Sequence, residues 1–299
     1  MQRLCFVVVN YFSHQKVAAL IESIAPVDGV FGIIVDNSND NSEFAALSSI
    51  IARDDVECLQ SDRNGGFSYG TNLGLKAALK RADAFLILNP DTKVAPDFFQ
   101  ALLDIRTALP DVAVSPHGLH MTTGRIWSAG GAFYWLRGRA DVLTGVRRSG
   151  ETDFGTCACL MVPKAALDDI GLLDEDFFLG GEEWDFSLRL RKKGWRIIYS
   201  SRAVYLHEVS GTHEKYGRRF FYVGMRTKVL FARKHYGVFF WPWLFFFMLP
   251  SVPVILWRNS RLNHGNIQEL APLLCFALVR SIRKQPMTQR EYVSEGKHV

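Results

Sequence analysis

Residues 84–92 read AFLILNPDT: five apolar residues running without a break into Asn89, Pro90, Asp91 and Thr92. So short an apolar run, closed by a turn-forming proline, predicts a buried strand that ends in oxygen-bearing side chains. Leu4–Val9, Gly32–Val35 and Val56–Gln60 have the same form, and polar residues such as Asn10 and Asp36 follow them. Between these runs lie helical stretches at Lys16–Ile24, Ser42–Ile51 and Tyr69–Lys80. Strand and helix in alternation predict an α/β domain, a mostly parallel sheet with helices on both faces. In such sheets ligands sit past the carboxyl ends of the strands. The polar residues gather there in this chain.

Asp36-Asn37-Ser38 follows the second run, where a carboxylate can accept hydrogen bonds from a base edge or a ribose hydroxyl; the same residues also suit an Asx-rich turn with Ser42 as a helix cap. Arg63-Asn64-Gly65-Gly66-Phe67 is a glycine loop before a helix that carries Asn72. Its backbone can approach a ligand closely, and Arg63 can meet a phosphate. No G-x-G-x-x-G or P-loop pattern is present, so a dinucleotide fingerprint and a P-loop kinase are unsupported. Asn89 and Asp91 offer hard oxygens two residues apart, suited to Mg²⁺ or Mn²⁺ held jointly with a diphosphate, although Asn-Pro-Asp is also simply a good turn.

The other chemical stretch is FFLGGEEWDFSLRLRKKGWR at 177–196. Glu182 and Asp185, three apart on a helix, share a face, and Glu183 points about a quarter-turn away. Acids at a helix start also answer the macrodipole, which accounts for them without any chemistry.

Taken together, Asn10-Tyr11, Asp36-Asn37-Ser38, the loop at 63–67, Asn89-Pro90-Asp91-Thr92 and the block at 180–191 resemble family 2 glycosyltransferases, in their bacterial rhamnosyltransferase-like branch. The resemblance runs from about residue 3 to residue 236. It implies a Rossmann-like GT-A fold and transfer of a sugar from a nucleotide donor, such as a dTDP- or UDP-sugar, with inversion. By position, Asp36, Asn37, Arg63, Asn64 and Asn72 would hold the nucleotide, with Asn10 and Tyr11 at the base. Asn89-Pro90-Asp91 would stand for the metal-binding D-x-D, making Asp91 the direct ligand of Mn²⁺ or Mg²⁺ and leaving Asn89 at the diphosphate. His207 falls where the family places a histidine near the metal; His213 is a weaker candidate. Glu183 matches the general base, one methylene longer than the usual aspartate, and Glu182 or Asp185 can take the role instead.

Residues 111–160 are expected to form acceptor-side strands and a hairpin. Trp127, Phe133 and Trp135 can stack on sugar or simply fill a core; Arg137, Arg139, Arg147 and Arg148 can meet an anionic acceptor or water. Phe154–Ala158 reads as a small-residue strand, with Cys157 and Cys159 at alternate positions. The five cysteines show no paired metal spacing and suit a reduced setting. Leu4–Val9 is too short for the core of a signal peptide.

The charge is uneven. Residues 214–299 hold 14 Lys/Arg against 4 Asp/Glu, about +10, and residues 1–213 hold 21 against 26, or −5. Within the tail, Val238–Trp257 has no charged residue but three prolines and three tryptophans. Basic flanks around an apolar segment predict association with an anionic membrane surface, lying in the interface or dipping into it, a single span being the alternative. The tail's charges interleave with apolar runs and no reader motif is present, which excludes nucleic acid as the partner. The organisation expected is a nucleotide-sugar-binding half at 1–110, an acceptor and catalytic half at 111–236, and a membrane-associating region at 237–299 whose end, from about Gln285, is disordered. The expected place is the cytoplasmic face of the inner or plasma membrane, the acceptor a lipid-linked glycan, with room for a homodimer. A sugar-nucleotide nucleotidyltransferase or a non-catalytic membrane sugar-binding protein are the competing functions. The former lacks its glycine-rich N-terminal loop here, and a processive synthase lacks Q-x-x-R-W.

Overall fold

The protein is described by a computed structural model covering residues 3–51, 53–208, 217–262, 264–283, 285 and 287–288. The four apolar runs form β1 (Leu4–Asn10), β2 (Val30–Asp36), β3 (Val56–Gln60) and β4 (Ala84–Leu88). Every residue of β1, β2 and β4 is buried, as strands covered on both faces require. Between them lie α1 (His14–Ser23), α2 (Asn41–Ile50) and α3 (Phe67–Ala78), each bounded within two residues of the sequence expectation. The cap of α2 differs from that expectation. Asp40, not Ser42, accepts hydrogen bonds from the N–H groups of Ser42 and Glu43, at 2.8 and 3.0 Å.

These strands are parallel in the order β3-β2-β1-β4. The direction of winding therefore reverses beside β1, leaving a crevice past the ends of β1 and β4.

Beyond β4 the sheet becomes mixed. The chain continues through β5 (Thr92–Val94), α4 (Phe98–Ala108), β6 (Val112–His120) and β7 (Ile126–Ser128), then a hairpin of β8 (Gly131–Tyr134) and β9 (Arg139–Val142). There follow β10 (Gly150–Glu151), β11 (Cys159–Pro163), α5 (Lys164–Ile170), α6 (Glu182–Lys192) and β12 (Arg196–His207). Antiparallel β11 lies between β4 and β6, and β12 runs parallel to β6. The strand expected over Phe154–Ala158 does not form: Phe154 makes a single bridge to Gly131, and Cys157 and Ala158 turn. Cys159 donates its N–H to the Thr156 carbonyl at 3.1 Å, so Cys157 sits in the turn and Cys159 opens β11. One core, with Phe6, Leu20, Phe98 and Leu102, fills one face of the sheet; a second, with Val7, Leu75, Leu167 and Phe186, fills the other.

A C-terminal helical unit packs onto this sheet domain. It comprises α7 (Gly217–His235), the apolar run α8 (Gly237–Arg261) and α9 (Ile267–Ile282). Among the described residues, α8 is the one helix long and apolar enough to cross a membrane, its most apolar 18-residue stretch having a mean hydropathy of 1.8. His213 and most of the tail after Gln285 lie outside the described residues.

The two units are locked by one carboxylate. Asp185 of α6 is fully buried and accepts from Arg189 Nε at 2.8 Å, His235 Nε2 at 2.7 Å and Lys234 Nζ at 2.6 Å. Burial alone would raise its pKa, but His235, Arg189 and Lys234 outweigh burial and hold it well below the ordinary carboxylate range. A depressed carboxylate contributes stability that is complete above its unfolded value, about pH 4, and is lost as the pH falls through the folded value. Asp185→Ala should lower the unfolding free energy by about 3–5 kcal/mol at neutral pH, because it removes the one buried anion that Arg189, Lys234 and His235 share. Denaturant titration should show the gap to wild type narrowing below about pH 4; a gap independent of pH would rule out this ionic origin.

Candidate active site

β4 ends at Leu88, and the next residues turn sharply. Thr92 Oγ1 donates to the Asn89 carbonyl at 2.7 Å, while the Asn89 N–H is held by the Ala158 carbonyl at 3.0 Å. This projects Asp91 past the sheet. The end of β12 pairs with β5, placing His207 opposite Thr92. His207 Nε2 thereby lies 3.1 Å from Asp91 Oδ1, and the indole of Trp127 meets the imidazole edge-on at 4.3 Å. His207 Nδ1 is buried without a partner.

The acids of α6 arrive from a different direction. Gly180 and Gly181 both have positive φ, +79° and +89°, and a Cβ on Gly181 would collide with Thr227 of α7. The bend is clipped to α3: Phe67 donates its N–H to the Phe178 carbonyl and Ser68 Oγ donates to the Phe177 carbonyl, each at 2.7 Å. Thr227 Oγ1 donates to the Gly180 carbonyl, also at 2.7 Å. Glu183, a half-buried residue, turns one carboxylate oxygen back to accept the Gly181 N–H at 3.0 Å and hydrogen-bonds with Glu182. Glu182 is buried, with Oε2 unpartnered. Burial, reinforced by the charge of Glu183, pushes Glu182 well above the usual carboxylate range, and burial also raises Glu183.

These two constructions line one cavity of about 500 Å³. Asn89, Asp91, Trp127 and His207 contribute from the sheet, and Glu182, Glu183 and Trp184 from α6. Thr156, Cys157 and Ala158 contribute backbone and small side chains, as their turn allows. One wall was not anticipated from the sequence: Arg219, Phe220, Val223, Gly224 and Thr227 of α7. The signal was available, since 220, 223, 224 and 227 recur at three- and four-residue spacing on one helix face.

The expected nucleotide residues lie at the adjoining strand ends, outside this cavity's lining. Asn10 is buried and saturated: its amide donates to Asp36 at 3.0 Å and Glu43 at 2.8 Å, and its oxygen accepts from the N–H and Oγ of Ser13. It orients Asp36 rather than presenting a free edge. Glu43, paired with His14 at 2.7 Å, completes this cluster and was missed in the sequence because it reads as an ordinary first-turn acid of α2. Asn37 donates to Asn64 Oδ1 and the Gly66 carbonyl, so the two asparagines shape the glycine loop. Arg63 is exposed, its guanidinium 4.4 Å from the Tyr69 ring, and Tyr11 is exposed at the end of β1.

Two expected site residues have other work. Asn72 bonds to both backbone groups of Leu173 and to Glu175, which fastens α3 to the loop before α6. Asp185, in its cage of cations, is absent from the cavity lining because its face of α6 turns toward α7. The aromatic hairpin also packs inward: Phe133 and Trp135 stack on Phe231.

Asp91 and His207 offer an oxygen and a nitrogen facing each other, a pair that fits a cation sharing its other positions with a diphosphate. Among the described residues no group of three His, Cys, Asp or Glu encloses a metal by itself. A cavity joining such a pair to raised carboxyls can bind a phosphorylated ligand and remove a proton from a second molecule.

A family profile described as "Glycosyltransferase like family 2" matches residues 2–226. The chain is 26% identical over 200 residues to the low-salt glycan biosynthesis hexosyltransferase Agl10 of Haloferax volcanii, covering 65% of this chain and 63% of that protein. It is 26% identical over 183 residues to an N-acetylglucosaminyl-diphospho-decaprenol L-rhamnosyltransferase of Mycobacterium tuberculosis, covering 46% of this chain and 56% of that one. The chain thus spans less than two thirds of the length of these relatives. Among solved structures, GalNAc-T7 with UDP, GalNAc and Mn²⁺ superposes with a TM-score of 0.64 at 13% identity, covering 99% of this chain and 58% of that chain. Residues 1–349 of S. aureus TarS superpose at 0.53 and 14%, covering 78% and 66%. These two matches show the GT-A fold.

An acid whose pKa is raised by folding stabilises the fold below its unfolded value and loses that contribution as the pH rises through the folded value. Glu182→Gln, which cannot ionise, should therefore melt higher than wild type at pH 8 by about 2–4 °C, the effect of roughly 1 kcal/mol in a chain of this size. Scanning calorimetry at pH 4.5 should show the difference shrinking; an equal shift at both pH values would show that charge is not its source.

Proposed function

The chain belongs to the family 2 glycosyltransferases, and on that footing we propose that it is an inverting, metal-dependent hexosyltransferase. In this reading it moves rhamnose or another hexose from a nucleotide diphosphate to a hydroxyl of a lipid-linked glycan precursor, at the cytoplasmic face of the membrane. The observation that carries the reading is the cavity in which Asp91 and His207 meet Glu182 and Glu183. The relatives' names support the rest: one is a hexosyltransferase, and the other acts on a diphospho-decaprenol.

Residues 1–110 bind the donor in this assignment. Asp36, held by Asn10, takes the ribose or base, and Arg63 and the Asn64 loop take the phosphates. Asp91 and His207 would hold Mn²⁺ or Mg²⁺, with Asn89 beside the diphosphate. The cation supplies charge neutralisation to the departing diphosphate. Residues 111–236 bind the acceptor against Trp127 and α7. Glu183 takes the proton of the acceptor hydroxyl as its oxygen bonds to the anomeric carbon and the bond from that carbon to the diphosphate oxygen breaks. Attack from the face opposite the leaving group inverts the centre. Glu183 is preferred over its neighbour because its carboxyl is half-buried beside the cavity, fixed by the Gly181 N–H. Glu182, buried behind it, keeps its own proton more readily, and its hydrogen bond partly offsets the rise that burial imposes on Glu183.

Glu183→Gln should lower kcat by roughly 10²–10⁴-fold, the usual contribution of general-base assistance, while thermal-shift titration with dTDP- and UDP-sugars shows donor binding retained. Asp91→Ala should weaken both donor binding and turnover. Full activity in Glu183→Gln would transfer the base role to Glu182. In wild type, kcat/KM should fall with decreasing pH through an apparent pKa above that of an ordinary glutamate, since the base must be ionised.

A further inference from the structure

α8 is apolar all round, and the protein covers only part of it. Phe240, Leu244, Met248 and Leu256 are buried in the core shared with α7 and α9. Across the helix, Phe239, Phe246, Pro250, Pro253 and Trp257 recur at spacings of seven, four, three and four residues and all are exposed, Phe246 by 75% and Trp257 by 58%. A soluble monomer rarely presents such a continuous apolar stripe to water. Only 22% of the most apolar stretch of this helix is buried.

The charges beside the stripe select its occupant. Arg258 and Arg261 follow it, with the Arg261 guanidinium 5.9 Å from the Trp257 ring. On α9, Phe276 and Val279 are exposed, and the Arg280 guanidinium lies 5.5 Å from the Phe276 ring. Aromatic rings with arginines at their edges match the boundary between acyl chains and anionic headgroups. The packing also fixes the orientation. The buried side of α8 contacts α7 and α9 from Phe240 through Leu256, nearly its whole length, and Arg218 of α7 pairs with Glu269 of α9 at 3.2 Å. A helix fastened lengthwise to a polar-tethered unit cannot stand upright in a bilayer while that unit stays in water.

We propose that α8 is a monotopic seat: it lies flat in the interface of an anionic bilayer, its exposed stripe in the acyl boundary and both ends on one side. The seat adjoins the cavity. Phe220 lines the cavity, is exposed, and has its ring 5.9 Å from that of His264 in the turn between α8 and α9. The seat itself stands independently of the proposed transfer. Its consequence, that the cavity opens at the height where a lipid-tethered hydroxyl is presented, rests on that reading.

The full chain should float with vesicles of phosphatidylcholine containing phosphatidylglycerol, and bind several-fold less to phosphatidylcholine alone or at high salt. Phe246→Glu with Trp257→Glu should reduce partitioning by about tenfold or more, with circular dichroism unchanged because both side chains are exposed. In a Cys275→Ser background, cysteines introduced as Val238→Cys and Leu262→Cys should both react with a membrane-impermeant maleimide from the same side of membrane vesicles. Labelling from opposite sides would overturn the proposal in favour of a span. Undiminished flotation of the double variant would overturn it as well. So would a wild type that ignores vesicles but sediments as a dimer which the double variant dissociates, since the stripe would then face a second copy. Donor hydrolysis on the same preparations reports the transfer reading separately: an inactive protein that floats leaves the seat intact.

Discussion

The Asp185 carboxylate is the constraint on which the rest of the arrangement depends. It lies in α6, one turn after the cavity acids, and its partners Lys234 and His235 end α7. Arg189, its other partner, also donates to the carbonyls of Ile170 and Leu172 at 2.7 Å each. One buried charge thus joins the acid helix, the loop that precedes it and the helix that walls the cavity. Removing such a charge from water is unfavourable, and only several cations with good geometry offset it. The geometry in turn fixes where Glu182 and Glu183 point. Asp185 is an acid of the right type in the right block of sequence whose oxygens are taken up by three cations outside the cavity lining.

That distinction explains what the sequence could and could not reveal. The parallel half follows from local information: apolar runs of five to seven residues, helical spacing between them, polar residues at the strand ends. Its helices begin and end nearly where composition places them. Asp91, His207 and the acids of α6 are likewise visible as residue types at strand and helix ends. What the sequence hides is direction. Nothing local distinguishes Glu183, facing the cavity, from Asp185, facing three cations, because the cations stand 4 to 50 residues away. Asn72 is opaque for the same reason, since its partner Leu173 is 101 residues distant. The turn at Cys157 escaped because small and apolar residues suit a strand equally well, and the choice was made by Gly155 packing against Ser115 and Leu160.

The cavity acids show the opposite balance from Asp185. Asp185 is buried among three cations, whereas Glu182 is buried beside the half-buried Glu183 with its Oε2 unpartnered. Two neighbouring carboxyls in a poorly solvated place cannot both ionise easily. A fold that tolerates this arrangement gives up stability at high pH and holds a carboxyl of raised proton affinity in the cavity wall. The cage around Asp185, one turn further along the same helix, holds these neighbours in place.

α7 connects the remaining parts. One of its faces, at Phe220, Val223, Gly224 and Thr227, walls the cavity; another, at Phe221 and Val229, belongs to the core of the apolar C-terminal unit. Its end holds Asp185. A rigid helix sharing one surface with the cavity and one with the apolar C-terminal unit cannot shift in one without disturbing the other. The basic, apolar tail, which composition alone marks as an appendage, is therefore part of the wall of the site. Truncating the chain after β12 would take away the cavity's third side and two partners of Asp185 together, since both belong to α7.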